Sequence, residues 1–466
     1  MESIKIGLLT GGFFEFWRMY PELEKIVEDE MKALYMGMKE SLKGQFNIVW
    51  SGLADTMEKC DEAGRLFKKE SVDLLVICEG SYFPDYMPIQ TIEYLPDVPV
   101  LILLTQPQPY VRMDMNYIDA IHHSFGMVGV VQLTGAFKKM GRDFEMIISS
   151  LDDETLYDEV AKYAHIVSVY RKLRFLNLGI VGHTFQGMYD LELDKTLFKG
   201  TIGPNVIYIE LHELMSIWEE ISDEEGDRIA SDLIKKFKLD GPDEVDVRKA
   251  CKLGLALEKV AERYNLQGVS HLCQHFIHVH TETTPCYANS RLVEKGIMVT
   301  CEGDIGNLAA MCILHELTGK PAFHGEFGMY DIKENAFLFV HHGAGNPALA
   351  RNLAEVTITP TGEKWGFTGE GASFRYVGKP GRVTLASLIY DKDGWKMLIT
   401  GGEVIDVPLR PYYGAQFTIR VDQPIKTWLE RLCREGVTHH AALVYGDVGK
   451  DLEKLANLLK IRTFIL

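Results

Sequence analysis

The sequence has no paired-cysteine signature. Its eight cysteines, at positions 60, 78, 251, 273, 286, 301, 312 and 433, are scattered and never form C-x-x-C. They read as buried, reduced thiols of a large intracellular chain. H-E-x-x-H is also missing, so no standard metal signature is present. G-x-G-x-x-G and G-K-[ST] are absent too, and the Gly11-Gly12 pair after the first apolar run is therefore assigned no nucleotide. No stretch approaches 18 consecutive apolar residues, and the opening MESIKIGLLTGG lacks a basic segment followed by an apolar one. The expectation is a cytoplasmic protein with neither membrane span nor signal peptide. Positive charge is in short supply: 49 Lys and Arg stand against 66 Asp and Glu, a net charge of −17. That balance speaks against nucleic acid as a partner, because phosphate binding needs clustered cations.

What is present points to a globular chain. With 466 residues, 46% hydrophobic and 25% charged, the sequence is too long for one ordinary core. Apolar runs at 4–10, 46–50, 72–78, 98–104 and 128–133 alternate with helix-period stretches at 21–42 and 55–70. That alternation predicts a parallel sheet covered by helices. After a helical crossover at 153–174 the pattern resumes, with strands at 175–182, 206–210, 268–273 and 296–301 and a charged helical region at 212–264. From Ala322 onward period-2 segments separated by turn residues take over, which predicts an antiparallel sandwich or barrel. The expected class is α/β: two doubly wound parallel-sheet units followed by a C-terminal, barrel-like antiparallel β domain. The expected boundaries are 1–172, 173–321 and 322–466.

One stretch, Val299 to Pro347, concentrates the chemistry. It carries Glu302 and Glu326, each beside a glycine, and the pair His341-His342. A second His-His pair, His439-His440, lies near the C-terminus. Acids and imidazoles brought from several strand ends suit a divalent-metal site. Each also has a plainer reading. Glu302 before a helix complements the helix dipole, Asp304 caps it, and Glu326 at a strand edge is solvated. Neighbouring strand residues face opposite ways, so only one histidine of each pair enters a given pocket. The segment HLCQHFIHVH, with His271, His275, His278 and His280, is a competing metal site or pocket wall, and His275 is taken as a substrate-contact candidate.

At VTCEGDIGNLAAMCIL, HGEF, HHGAGNPAL and THHAALVYGD the chain resembles the L-arabinose isomerase and L-fucose isomerase superfamily, most of all its arabinose isomerase branch. The likeness extends over most of the chain. It includes GHTFQGMYDLELDK, in which Met188 matches a family methionine, and MNYIDAIHHSFG, which is similar to a substrate-facing segment. The resemblance implies an aldose–ketose isomerase of a small sugar that works through an enediol. It implies a divalent cation, manganese, held by Glu302, Glu326, His341 and His440, with His439 adjacent and not excluded. The two glutamates are then also the acid and base. His341 matches because Pro347 lies six residues after it, and His342 then faces away. Asp119, His122 and Met188 fall at substrate-facing positions. A homo-oligomer, hexameric or trimeric, with active sites shared between subunits is implied as well. The chain departs from the family at three places. Asp119 stands at a glutamine position, Glu326 sits in HGEF where M-E-D is usual, and TGGFFEFW replaces G-S-Q-x-x-Y-G. These departures motivate a second reading, an isomerase or epimerase of a sulfonated, branched or acidic sugar. A non-catalytic sugar-binding protein is the third.

Overall fold

The structure is a computed structural model that describes residues 3–343, 345–361 and 371–466. It divides into two compact units, Met1–Ser168 and Val169–Leu466.

The first unit is built on strands β1 (Lys5–Gly11), β2 (Asn47–Ala54), β3 (Leu74–Glu79), β4 (Val100–Gln106) and β5 (Glu145–Ser150). They form one parallel sheet in the order β2-β1-β3-β4-β5. β3, LLVICE, is buried along its whole length, as a strand covered on both faces must be. One sequence expectation fails here. Val128–Leu133 is not a strand but the middle of the helix Tyr117–Met140. Asn116 opens that helix by accepting from the Asp119 N–H at 2.9 Å, and Gly141 closes it at φ 70°. A six-residue apolar run does not distinguish a strand from one buried stretch of helix. The fifth strand is the later, partly exposed EMIISS.

The second unit starts with β6 (Asn177–Val181), β7 (Asn205–Ile209), the two-residue β8 (Lys238–Leu239), β9 (Gly268–His271) and β10 (Met298–Cys301). A parallel sheet runs β10-β9-β6-β7. The remaining strands are β11 (Phe323–Asp331), β12 (Ala336–His341), β13 (Thr357–Thr359), β14 (Ser373–Val377), β15 (Gly381–Asp391), β16 (Gly394–Val404), β17 (Ala415–Arg420), β18 (His440–Tyr445) and β19 (Arg462–Ile465). With β8 they make a ten-stranded, largely antiparallel sheet. An additional pairing of β16 with β17 closes β11, β12, β17, β16, β15 and β18 into a six-membered ring. The expected barrel is therefore present, and closure removes the exposed edges of those strands. Its apolar core includes Phe323, Phe339, Phe417, Leu385 and Leu443. The period-2 region from Ala322 onward does hold strands, Ser373–Val377 and Ala336–His341 among them, whereas β18 is a strand the sequence reading passed over. Among the described residues no helix is long and apolar enough to cross a membrane.

Trp428 anchors the helix Ile425–Glu435 to the barrel. Its ring stacks on Phe337 with centroids 4.7 Å apart, and its Nε1–H donates to Thr400 Oγ1 at 3.2 Å. Trp428→Ala is expected to cost the second unit ~3–5 kcal/mol, read as a lowered urea midpoint, and Trp428→Phe is expected to recover most of it. An unchanged midpoint for the alanine variant would contradict this packing.

Candidate active site and metal centre

β10 ends at Cys301, and the chain turns through Glu302 and Gly303 into the helix Ile305–Thr318. Both turn residues are left-handed, at φ 65° and 76°. At 303 a Cβ would lie 2.5 Å from Thr184 Cα, so only glycine fits. Glu302 carries strain of roughly 1–2 kcal/mol for an L residue in this region. The turn is held by the Glu302 N–H, which donates to the His271 carbonyl at 2.8 Å, and by the Glu302 carbonyl, which accepts from the Phe185 N–H at 2.9 Å. Asp304 caps the helix as expected, its Oδ1 accepting from the Asn307 N–H at 2.8 Å. Gly306 lets the helix press on β15, since a Cβ there would lie 2.7 Å from the Leu388 carbonyl oxygen.

β11 supplies the second acid. Glu326 stands opposite Val340 of β12 on one side and His440 of β18 on the other. Directly opposed residues share a face, so Glu326 and His440 lie together, on the opposite face from Phe323 and Leu443. Two residues earlier on the same face is His324, fully buried, its ring 4.5 Å from that of His341 and 4.3 Å from that of His440.

His440 links the two halves. Its Nδ1–H donates to Asp304 Oδ2 at 3.0 Å. Its Nε2, buried and without a hydrogen-bond partner among the described residues, lies 3.4 Å from Glu302 Oε2. A carboxylate that fixes one ring nitrogen and frees the other is how imidazole ligands are oriented for metals. The ligand atoms of Glu326, His341 and His440 lie within 4.8 Å of one another, as do those of Glu302, His439 and His440. His341 Nδ1 accepts from the Gly343 N–H at 3.2 Å, and its Nε2 lies 3.7 Å from Glu326 Oε1. The donors present, two carboxylates and imidazoles, fit a divalent cation such as manganese.

The electrostatics agree with this geometry. Burial drives His324 and His341 well below the ordinary histidine pKa, with the nearby His440 adding to the effect, so both rings are neutral. Burial raises the Glu326 pKa, and the Glu302 charge pushes the same way against the pull of His440 and His439. His439 behaves differently. Burial would lower its pKa, but hydrogen bonds with Glu302 and Asp190 outweigh that and lift it to about 9. Its Nδ1–H donates to Asp190 Oδ2 at 2.6 Å and its backbone N–H to the same oxygen at 3.1 Å.

The other residues picked from the sequence sit elsewhere. His342, past the end of β12, stacks on Tyr413 with centroids 4.8 Å apart. Met188 is half-buried in the loop that also carries Asp190, with its N–H on the Phe185 carbonyl. His271 is buried and bonded to Asn289 Oδ1 at 2.7 Å. The His275 side chain lies outside the described residues. Asp119 and His122 belong to the first unit. Asp119 accepts from Arg112 at 3.0 Å, and His122 Nε2 lies 2.8 Å from Glu30 Oε2.

Residues 335–465 match the family described as L-fucose isomerase, C-terminal domain, a span that contains both His341 and His440. The chain is 23% identical over 390 residues to the sulfoquinovose isomerase of Alkalicoccus urumqiensis, covering 83% of this chain and 84% of that protein. It is 23% identical to the sulfoquinovose isomerase of Priestia aryabhattai, covering 85% and 86%. It is 20% identical to the L-arabinose isomerase of Levilactobacillus brevis, covering 96% and 97%. Together these likenesses support the arabinose/fucose isomerase superfamily of sugar isomerases.

Three residues around this superfamily centre escaped the sequence reading. His324 was within reach, because period-2 alternation in H-G-E puts it on the face of Glu326. Cys301 was dismissed with the other thiols, although it adjoins Glu302. Asp190 carried no local signal, since only the fold brings it to His439, 249 positions away.

Asp304 provides a test of the His440 orientation. In Asp304→Asn the amide oxygen still caps the helix, but its NH2 faces His440 Nδ1. That reverses the tautomer and places a proton on Nε2. Manganese affinity, measured by titration of metal-free protein, is expected to fall by about 10–100-fold with the fold intact. An unchanged affinity would show that His440 Nε2 does not serve a metal.

Proposed function

We propose that this protein is a manganese-dependent aldose–ketose isomerase acting on a modified aldose, with a sulfonated hexose such as sulfoquinovose the first candidate. The observation that carries the reaction class is the His440 arrangement: Asp304 holds Nδ1, and the buried Nε2 faces Glu302, with Glu326 and His341 alongside. In this reading Glu302, Glu326, His341 and His440 hold the cation, and His439, committed to Asp190, does not. When bound, the cation supplies Lewis acidity that polarises the sugar carbonyl and stabilises developing negative charge.

The chain's own groups then move the protons. One of Glu302 and Glu326 takes the proton from the carbon beside the carbonyl, and the other handles the proton on the opposite side. Burial raises the Glu326 pKa and so makes that carboxylate more basic than an ordinary glutamate. His439, protonated between Asp190 and Glu302, holds the Glu302 carboxylate in place.

The modified-sugar reading is supported by the relatives named as sulfoquinovose isomerases and by the departures at Asp119, HGEF and TGGFFEFW. We further take the protein to be cytoplasmic and to assemble as a hexamer or trimer, with Asp119, His122 and Met188 contributing to shared substrate pockets. Exposed Met127, Val128 and Val131 on the helix Tyr117–Met140 support a face that another copy covers.

The deciding experiment is ketose formation from a panel of sulfoquinovose, L-arabinose, L-fucose and glucose, with chelator-stripped and manganese-restored protein. Turnover of the sulfonated sugar, lost on stripping and restored by manganese, is expected. Glu326→Gln should lower that turnover by at least about three orders of magnitude with the unfolding midpoint preserved. Full activity in Glu326→Gln would remove the mechanism, and exclusive turnover of L-arabinose would remove the modified-sugar reading.

A further inference from the structure

Cys301, the last residue of β10, is buried beside two imidazoles. The ligand atoms of Cys301, His324 and His341 lie within 4.8 Å of one another. The three residues are 5%, 0% and 6% exposed. Cys301 Sγ accepts a long hydrogen bond from Asn289 Nδ2 at 3.5 Å. The His324 Nδ1 is taken by the Asn307 amide at 2.6 Å, whereas its Nε2 is buried with no hydrogen-bond partner among the described residues. A buried imidazole nitrogen left unmatched next to a thiol and a second imidazole has the composition of a thiolate–imidazole metal site.

We propose that Cys301, His324 and His341 form a second, soft-metal site that takes zinc or cadmium in competition with the isomerase centre. Sulfur and imidazole donors favour such ions, whereas the two-carboxylate set at Glu302 and Glu326 favours a harder one such as manganese. Tetrahedral zinc bonded to sulfur and nitrogen spaces its ligands about 3.5 Å apart, so side-chain rotations of about 1 Å close the site and leave one position for water. Binding releases the thiol proton, one per ion. His341 has one nitrogen to offer, because the other accepts from Gly343, and one ring cannot serve two ions at once. The competition rests on the reading that His341 also serves manganese, whereas the soft site itself does not.

The test uses full-length protein stripped by chelator, with Cd2+ as the probe and the ultraviolet thiolate-to-cadmium charge-transfer band as the signal. One equivalent is expected to produce the band in the parent protein. It should be lost in Cys301→Ser, and His324→Gln should need about tenfold more cadmium to produce it. In electron paramagnetic resonance titrations, cadmium loading should weaken manganese binding at least about tenfold in the parent and far less in Cys301→Ser. Absence of the band from the parent protein overturns the site, as does a band that persists in Cys301→Ser. A band with undiminished manganese binding overturns the competition. If the parent binds no manganese at all, the isomerase-centre reading fails, and the band alone decides this site.

Discussion

The hydrogen bond between Asp304 and His440 is the contact on which the centre depends. It joins strand β18 to the turn after β10, across 136 positions of sequence. One carboxyl group does two jobs: one oxygen satisfies an orphan amide at the start of the helix Ile305–Thr318, and the other sets the tautomer of a buried imidazole. The first job is local and stabilises the helix by about 1 kcal/mol. The second acts at a distance and orients the ring of His440 so that its Nε2 faces Glu302. The parallel sheet and the barrel of this unit therefore meet at a bond that is part of the chemistry, and a loosened helix start would also loosen the ring.

The barrel contributes alternation. β11 lies between β12 and β18, and its period-2 pattern sends Phe323 and Phe327 to the apolar core and His324 and Glu326 to the other face. A one-residue slip of β18 against β11 would exchange His440 with Ala441 and carry the imidazole into the core. The packing of Phe323, Phe339, Phe417 and Leu443 thus fixes the register that the polar face needs. Sites built on strands gain precision in this way, since the core locks the rotamers of the neighbours.

This division explains how much could be read from the sequence. Parallel strands such as LLVICE announce themselves by a continuous apolar run, and strands of the ten-stranded sheet such as SFRYV by alternation and turn residues. The strand that matters most, HAALVY, was hidden because its two alanines weaken the period and the preceding His-His pair drew attention to chemistry and away from structure. Val128–Leu133 failed for the opposite reason: β-branched residues imitated a strand inside a helix whose caps, Asn116 and Gly141, lie well outside the run. Of the candidate site, Glu302, Glu326 and the two His-His pairs stood out because acids beside glycine and adjacent histidines are conspicuous, and the family resemblance picked His341 and His440 from the pairs. Asp190 was not, because its partnership with His439 exists only in the fold.

Seen as one array, the donors change character across the centre. Carboxylates of Glu302 and Glu326 stand at one end, the rings of His440 and His341 in the middle, and His324 with the Cys301 thiol at the other. A cation placed in such an array is sorted by its own preference. A hard ion is drawn to the oxygens and a soft one to the sulfur, and His341 is the group they contest. The net charge of −17 has little part in this choice, because at these distances in a buried site the nearest donors outweigh the screened surface. In the proposed two-site arrangement, metal identity would be set by a local gradient of donor softness, with a thiol that looks incidental in the sequence as one of its two poles.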